Sequence, residues 1–196
     1  MTTVAGQRDG LSFYETSAYW EAPLGEADAF VAAPWLEQSY EIESGWRAEA
    51  VVGLKHAVLR SDNSVAAVQL GGLWLSEPPG ACGESGAELR VLAGHNLGQG
   101  AFINVEAATR ALDGGCESER VDLTYGRRFG ERWLAMGQVF LDAPREGAET
   151  VRAQVTFTRF GEDNAAIQFG LRTRIDGDAD EVAFVLGFWG RPGERR

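Results

Sequence analysis

The chain has no long hydrophobic run. None of its 196 residues falls in a stretch of about 18 consecutive apolar residues, the length that predicts a transmembrane helix. The absence of such a run does not exclude a transmembrane β-barrel, because barrel strands alternate apolar and polar residues and give only a weak hydropathy signal. Residues 1–10 are polar and lack the apolar core of a signal peptide. Whether the chain is a membrane protein or a water-soluble protein therefore has to be decided from the pattern of the strands.

Positive charge is also scarce. Lys and Arg number 18 against 29 Asp and Glu, and the formal net charge is −11. Nucleic-acid binding and docking on anionic lipid through a polybasic patch both need a basic surface, so both are disfavoured. The sequence has neither a Gly-x-Gly-x-x-Gly nor a Gly-Lys-Ser/Thr motif, and no helical stripe has start and stop signals. We expect no cofactor, no nucleic-acid partner and no helical domain.

What the chain does have is alternation with a period of two. In residues 101–111, Ile103, Val105 and Ala107 alternate with polar residues such as Glu106 and Arg110. Residues 87–97, 150–159 and 165–173 repeat the pattern, which is typical of β-strands with one apolar face.

Tight turns separate these strands at regular spacing. Four share a hydrophobic residue, a glycine and an acid or amide, and a fifth differs: Leu24-Gly25-Glu26, Leu97-Gly98-Gln99, Phe129-Gly130-Glu131, Phe160-Gly161-Glu162 and Ser61-Asp62-Asn63. We predict eleven strands, at about 11–23, 28–39, 47–59, 65–75, 87–97, 101–112, 119–128, 132–142, 150–160, 165–175 and 181–190. The tight turns then share one rim, and looser loops at about 40–46, 76–86, 113–118, 143–149 and 176–180 share the other.

The predicted fold is an all-β, up-and-down antiparallel (meander) barrel. Its single domain spans 11–190, followed by a tail at 191–196. Eleven strands is odd, whereas bacterial single-chain membrane barrels have an even number. We therefore expect that a signal peptide and one strand are absent from this chain, that the complete protein has twelve strands, and that residues 1–10 are the remnant of an outer loop.

The alternation does not say which face is outside. With Ile103, Val105 and Ala107 outward, the barrel is a membrane protein with a narrow pore or transport role for an unknown solute. With Glu106 and Arg110 outward, it is a soluble barrel that binds a small apolar ligand. A lipid-modifying outer-membrane enzyme is a further alternative, but no catalytic or metal site is predicted, and we expect no enzyme.

The candidate functional residues are charged side chains on the polar face. They would line the lumen of a membrane barrel: Glu49, Lys55, Glu88, Arg90, Glu106, Arg110, Asp122, Arg128, Arg152 and Arg172. One hypothesis is that they line an open pore and set its selectivity. The other is that they pair with one another and plug it.

Four further features have simpler interpretations. Cys82 and Cys116 lie on one predicted rim, and we expect a disulfide between them if the chain is exported. His56 and His95 share the parity of apolar neighbours and are expected to face lipid or a rim. Residues 176–181 have the opening spacing of a calcium loop, but the sixth position is not Gly, so a solvated acidic loop is expected. Five tryptophans are candidates for interfacial girdles: Trp20, Trp35, Trp74, Trp133 and Trp189.

One hairpin resembles a known family. The segment Tyr19-Trp20-Glu21-Ala22-Pro23-Leu24-Gly25-Glu26-Ala27-Asp28-Ala29-Phe30 is similar to the Tyr-x-Glu-Tyr-Gly-Leu-Thr-Asp-x-Leu-Thr-Leu hairpin of uncharacterised proteobacterial outer-membrane barrel proteins. The ending Val185-Leu186-Gly187-Phe188-Trp189 looks like that family's closing strand, which carries the assembly signal. The resemblance implies location in the bacterial outer membrane, with lipid, lipopolysaccharide and the barrel-assembly machinery as partners. A monomer is expected.

Overall fold

The computed structural model describes residues 1–39, 45–78, 82–145, 148–161, 165–177 and 180–190. In these residues thirteen strand segments form one antiparallel sheet: β1 (Thr2–Arg8), β2 (Leu11–Ser17), β3 (Trp20–Pro23), β4 (Asp28–Ser39), β5 (Trp46–Arg60), β6 (Ser64–Leu75), β7 (Ser85–Gly98), β8 (Ala101–Leu112), β9 (Cys116–Phe129), β10 (Trp133–Pro144), β11 (Thr150–Phe160), β12 (Ala166–Arg174) and β13 (Glu181–Trp189). The described part of the chain has no helix long and apolar enough to cross a membrane.

The segments β2 and β3 are two halves of one strand. Both pair with β4 in an unbroken register, in which Ser17 lies opposite Trp35 and Trp20 lies opposite Ala32. The Ala18 N–H donates to the Pro34 carbonyl at 3.0 Å. Pro34 has no N–H to donate in return, so the ladder is interrupted there. The described residues therefore close as a meander barrel of twelve strands, and the β2–β4 pairing links the two ends of the sheet.

Residues 1–10 differ from the expected loop. Thr2–Arg8 is a strand that pairs with β2 on one side and with the closing strand β13 on the other. The expectation that this chain lacks one strand was therefore wrong. The strand is short and its outward residues are Thr3, Ala5 and Gln7, so it has no apolar face for the alternation to reveal.

The two rims differ in their connections. The ends at which β3 and β4, β5 and β6, β7 and β8, β9 and β10, and β11 and β12 follow one another lie at what we call the tight-turn rim. The ends at which β1 and β2, β4 and β5, β6 and β7, β8 and β9, β10 and β11, and β12 and β13 follow one another lie at the loop rim. Met1 lies at the tight-turn rim, where its amino group donates to the Phe188 carbonyl at 3.0 Å. The start of β1 and the end of β13 are thus on the same side. The expected tail, residues 191–196, lies outside the described residues.

The apolar face of the sheet points outward. Val105 on β8 is 40% exposed, whereas Arg110 on the opposite face of the same strand is 9% exposed. The other strands repeat this at mid-height with outward residues that include Leu54, Leu70, Val91, Leu123, Phe157, Leu171, Phe184 and Leu186. The buried face carries charged and hydroxyl side chains together with apolar ones, among them Glu37, Glu88, Glu181, Thr156, Val31, Val185, Phe13, Leu73, Leu134 and Met136. This polarity is the reverse of a soluble barrel and excludes a soluble protein with an apolar interior.

Candidate functional site in the barrel lumen

The ten predicted lumen residues all lie on the inward face. Glu49 and Lys55 are on β5, and Glu88 and Arg90 are on β7. The remaining six are on four other strands: Glu106 and Arg110 on β8, Asp122 and Arg128 on β9, Arg152 on β11 and Arg172 on β12. The register of neighbouring strands sets inward residues opposite one another, for example Glu88 opposite Arg110 and Glu106 opposite Asp122.

Five of these residues form a continuous chain of ion pairs, which we call the β5–β8 network. Arg110 donates to Glu88 and to Glu49, each at 2.7 Å. Arg90 donates to the other oxygen of Glu88 and to Glu106, each at 2.9 Å. Because β5 and β8 are not neighbours in the sheet, the Arg110 side chain reaches past two strands to Glu49. Charge-assisted pairs of this kind hold long side chains in one position.

A second set of ion pairs spans the place where the barrel closes, and we call it the closure network. Its members are Arg8, Glu15, Glu37, Arg47, Arg172 and Glu181. Arg172 on β12 makes two bonds of 2.8 Å to Glu15 on β2 and a third of 2.8 Å to Glu181 on β13. Arg8 on β1 donates to Glu181 at 3.0 Å and to Glu37 at 2.9 Å. With Arg47 on β5 bonded to Glu37, the network ties together six consecutive strands around the closure: β12, β13, β1, β2, β4 and β5.

Of the closure network, only Arg172 was among the predicted lumen residues. Glu15 and Glu37 lie on predicted strands and share the parity of inward residues, so parity counting along 11–23 and 28–39 is the signal that could have found them. Arg8 could not be found in this way, because its strand was expected to be a loop.

The wall formed by β9 to β12 is different, and we call it the amide wall. Its hydrogen-bonded side chains are amides and hydroxyls: Thr124, Gln138, Gln154, Thr156 and Gln168. The apolar Leu134, Met136 and Ala166 share the same inward face. Gln154 donates to Gln138 at 2.9 Å, and Gln138 donates to Thr124 at 3.3 Å. Gln168 donates to Thr156 at 2.9 Å.

Unsatisfied polar atoms concentrate on the amide-wall strands. Among the described residues, five buried side-chain atoms make no hydrogen bond, and four of them lie on these strands: Nε of Arg120, Oδ1 of Asp122, Nε of Arg152 and Oγ1 of Thr158. The fifth is Oε1 of Gln69 on β6. The nearest charged contacts are loose: Arg120 Nε lies 3.7 Å from Asp122 Oδ1, and Arg152 Nε lies 3.6 Å from Glu181. Buried polar atoms need hydrogen-bond partners. Water or a polar solute is therefore better accommodated along these strands than beside the two networks, whose charged groups already bond one another.

The other predicted residues lie outside these groups. Lys55 pairs with Glu21, which also accepts a hydrogen bond from Tyr19 at 2.9 Å. Arg128 lies at the tight-turn rim with its guanidinium 4.7 Å from the centre of the Phe160 ring. Cys82 and Cys116 are joined by a disulfide at the loop rim.

The histidines lie on the outward face. His56 Nδ1 is 2.7 Å from Asp28, and His95 Nδ1 is 2.8 Å from the Ser64 hydroxyl. A hydrolase would need a third group to orient the imidazole, and none of the described residues bonds the other ring nitrogen of His95. The Ser64–His95 pair is therefore an incomplete catalytic set.

The expected acidic loop is partly outside the described residues, which omit Asp178 and Ala179. Asp176 accepts a hydrogen bond from Arg174 at 2.6 Å, and Glu181 belongs to the closure network. No group of three metal-ligating side chains occurs in the described ranges. Of the five tryptophans, Trp20, Trp74 and Trp133 point outward, whereas Trp35 and Trp189 share the inward face.

An even-stranded closed barrel with an apolar exterior and a polar, ion-paired interior is a transmembrane β-barrel. Its fold is shared with solved outer-membrane proteins. The NanC porin superposes with a TM-score of 0.71 at 9% identity, and the KdgM porin with 0.64 at 5%; each match covers 97% of this chain and 98% of that chain. The Pseudomonas putida toluene transporter TodX gives 0.50 at 10% identity, covering 95% of this chain and 87% of that chain. No family model and no curated protein matches the sequence.

Proposed function

We propose that this protein is a monomeric β-barrel of the bacterial outer membrane that forms a narrow channel for small polar solutes. The observation that carries the proposal is the inverted distribution of polarity, with apolar side chains outside and charged, amide and hydroxyl side chains inside. A polar interior of this kind holds water in membrane barrels. The fold shared with two porins supports a channel. Lipopolysaccharide and the barrel-assembly machinery are the partners that the proposal implies.

The networks suggest where the solute passes. In the β5–β8 network and the closure network, arginines and glutamates bond one another and narrow the lumen. The strands of the amide wall instead carry buried polar atoms that make no hydrogen bond to the described residues, including Arg152 Nε and Asp122 Oδ1. We therefore place the pathway along β9 to β12. The networks then act as a partial plug that keeps conductance small, which combines the two hypotheses for the lumen residues.

Single-channel recording in planar lipid bilayers tests the proposal. The wild-type protein should give small, discrete conductance steps. The double variant Glu88→Ala/Arg110→Ala removes one partner of each sign from the β5–β8 network, so the net lumen charge is unchanged while the lumen widens. We expect larger steps from this variant.

The matched control removes a charged pair from the outward face. The double variant Asp28→Ala/His56→Ala deletes side chains that are both more than half exposed, and its conductance should equal that of the wild type. Each protein must first show heat-modifiable migration on gels, which reports a folded barrel. If folded wild type and Glu88→Ala/Arg110→Ala both conduct no ions, the lumen is sealed and the channel proposal is wrong.

A further inference from the structure

Two arginines occupy an unusual place on the outward face near the tight-turn rim. Arg127 on β9 and Arg159 on β11 flank β10, where the register sets them opposite Ala135 and Trp133. The Arg127 guanidinium lies 5.8 Å from the centre of the Phe129 ring, and that of Arg159 lies 5.9 Å from the Trp133 ring. We call these two arginines with β10 between them the arginine sector.

Within the part of the chain that the structure describes, no neighbouring side chain neutralises the arginine sector. Among the described residues, neither Arg127 nor Arg159 forms a salt bridge, and Glu131 in the adjoining turn pairs with neither. The arginines of the two lumen networks, by contrast, are all bonded to carboxylates. A net charge of −11 conceals this local excess of positive charge. Cations at the edge of the apolar belt attract anionic headgroups.

A shallow trough leads from the arginine sector toward mid-membrane. On β10 the outward residues after Trp133 are Ala135 and Gly137, whereas the strands on either side carry exposed Tyr125 and Phe157 at those heights. A Cβ atom added to Gly137 would meet no other atom within 4 Å, so the trough is open. Since neighbouring strands are about 4.8 Å apart, the flanking side chains stand about 10 Å apart across β10.

We propose that the arginine sector binds an anionic glycerophospholipid, with its phosphate between Arg127 and Arg159 and an acyl chain along Ala135 and Gly137. Short turns lie on the periplasmic side of outer-membrane barrels, so this lipid belongs to the inner leaflet. The two arginines select an anionic headgroup by charge complementarity. The small residues Ala135 and Gly137 on β10 leave room for the acyl chain. The site faces lipid, so it does not depend on whether the lumen conducts.

Native mass spectrometry of the full-length protein in detergent, with phosphatidylglycerol and phosphatidylcholine added as competing probes, tests this site. The wild-type protein should retain phosphatidylglycerol in preference to phosphatidylcholine. The double variant Arg127→Gln/Arg159→Gln should lose this preference, with an affinity loss of about fivefold for each arginine. Gly137→Leu keeps both arginines but fills the trough, and it should weaken binding of both lipids.

The control is Arg60→Gln, an exposed arginine near the same rim on β5 that donates to the Glu26 carbonyl at 3.1 Å. This variant should bind phosphatidylglycerol as the wild type does. An unchanged preference in Arg127→Gln/Arg159→Gln would overturn the proposal, as would wild-type protein that retains lipid A but not phosphatidylglycerol. Single-channel conductance should be the same in the wild type and the double arginine variant, so failure here is distinguishable from failure of the channel proposal.

Discussion

At the scale of single residues, Glu181 illustrates how the lumen stabilises the barrel. Its carboxylate is buried at the start of β13 and accepts hydrogen bonds from Arg172 at 2.8 Å and from Arg8 at 3.0 Å. Replacing it with Gln leaves two buried guanidinium groups short of a counter-charge. Because breaking a buried ion pair from one side is costly, we expect Glu181→Gln to lower the free energy of unfolding by about 3 kcal/mol. Urea titration of the protein folded into phospholipid vesicles measures this change.

The matched control is Glu117→Gln at the loop rim. Glu117 pairs with Arg145 at 2.6 Å, but both side chains are more than half exposed. An exposed pair contributes little, so this substitution should cost less than about 1 kcal/mol. Equal losses from the two variants would mean that the interior is as well solvated as the rim and that the closure network does not stabilise the fold.

Residue partners in the lumen could not be predicted from the sequence. Parity along a strand identified the inward charges, because side chains alternate strictly between the two faces. Pairing depends instead on register, on barrel closure and on the reach of each side chain. Arg172 and Glu15 are 157 residues apart in the chain and meet only because β1 lies between β2 and β13.

At the scale of secondary-structure elements, the predicted strands agree closely with the structure except at the beginning. Three of the predicted strands, 28–39, 101–112 and 150–160, have the bounds that the structure shows, because each of them adjoins a clear tight turn. The missed strand β1 had a signal of another kind. Asp9 and Gly10 both have positive φ, of 49° and 79°, and Asp-Gly between two strands is a strong hairpin motif.

The β1–β13 pairing depends on Gly6. A Cβ atom at this position would overlap the Val182 carbonyl and Ala183 on the neighbouring strand. Gly6→Val should therefore disrupt the seam where the barrel closes, with loss of the heat-modifiable folded species on gels. Gly137→Val places the same side chain in open space on the outward face of β10 and should fold normally. A folded Gly6→Val barrel would show that the seam tolerates a wider spacing than the structure has.

At the scale of the whole molecule, the rims give the barrel a direction in the membrane. β1 begins and β13 ends at the tight-turn rim, and even-stranded outer-membrane barrels keep both ends on the periplasmic side. The Cys82–Cys116 disulfide lies at the opposite rim, which then faces the exterior. The even strand count that this orientation requires became evident only when β1 was included. The sequence pattern predicted the two rims correctly, but it treated residues 1–10 as a loop, whereas Thr2–Arg8 crosses from one rim to the other as β1.

Cysteine labelling in intact cells tests this orientation. In a Cys82→Ala/Cys116→Ala background expressed in the outer membrane of a Gram-negative host, Glu84→Cys exposes a thiol at the loop rim and Asp62→Cys exposes one at the tight-turn rim. Both positions are exposed and acidic, so they form a matched pair. A membrane-impermeant maleimide should label Glu84→Cys in intact cells and Asp62→Cys only after the outer membrane is permeabilised. The reverse pattern would place the short turns outside the cell, and the lipid of the arginine sector would then have to come from the outer leaflet.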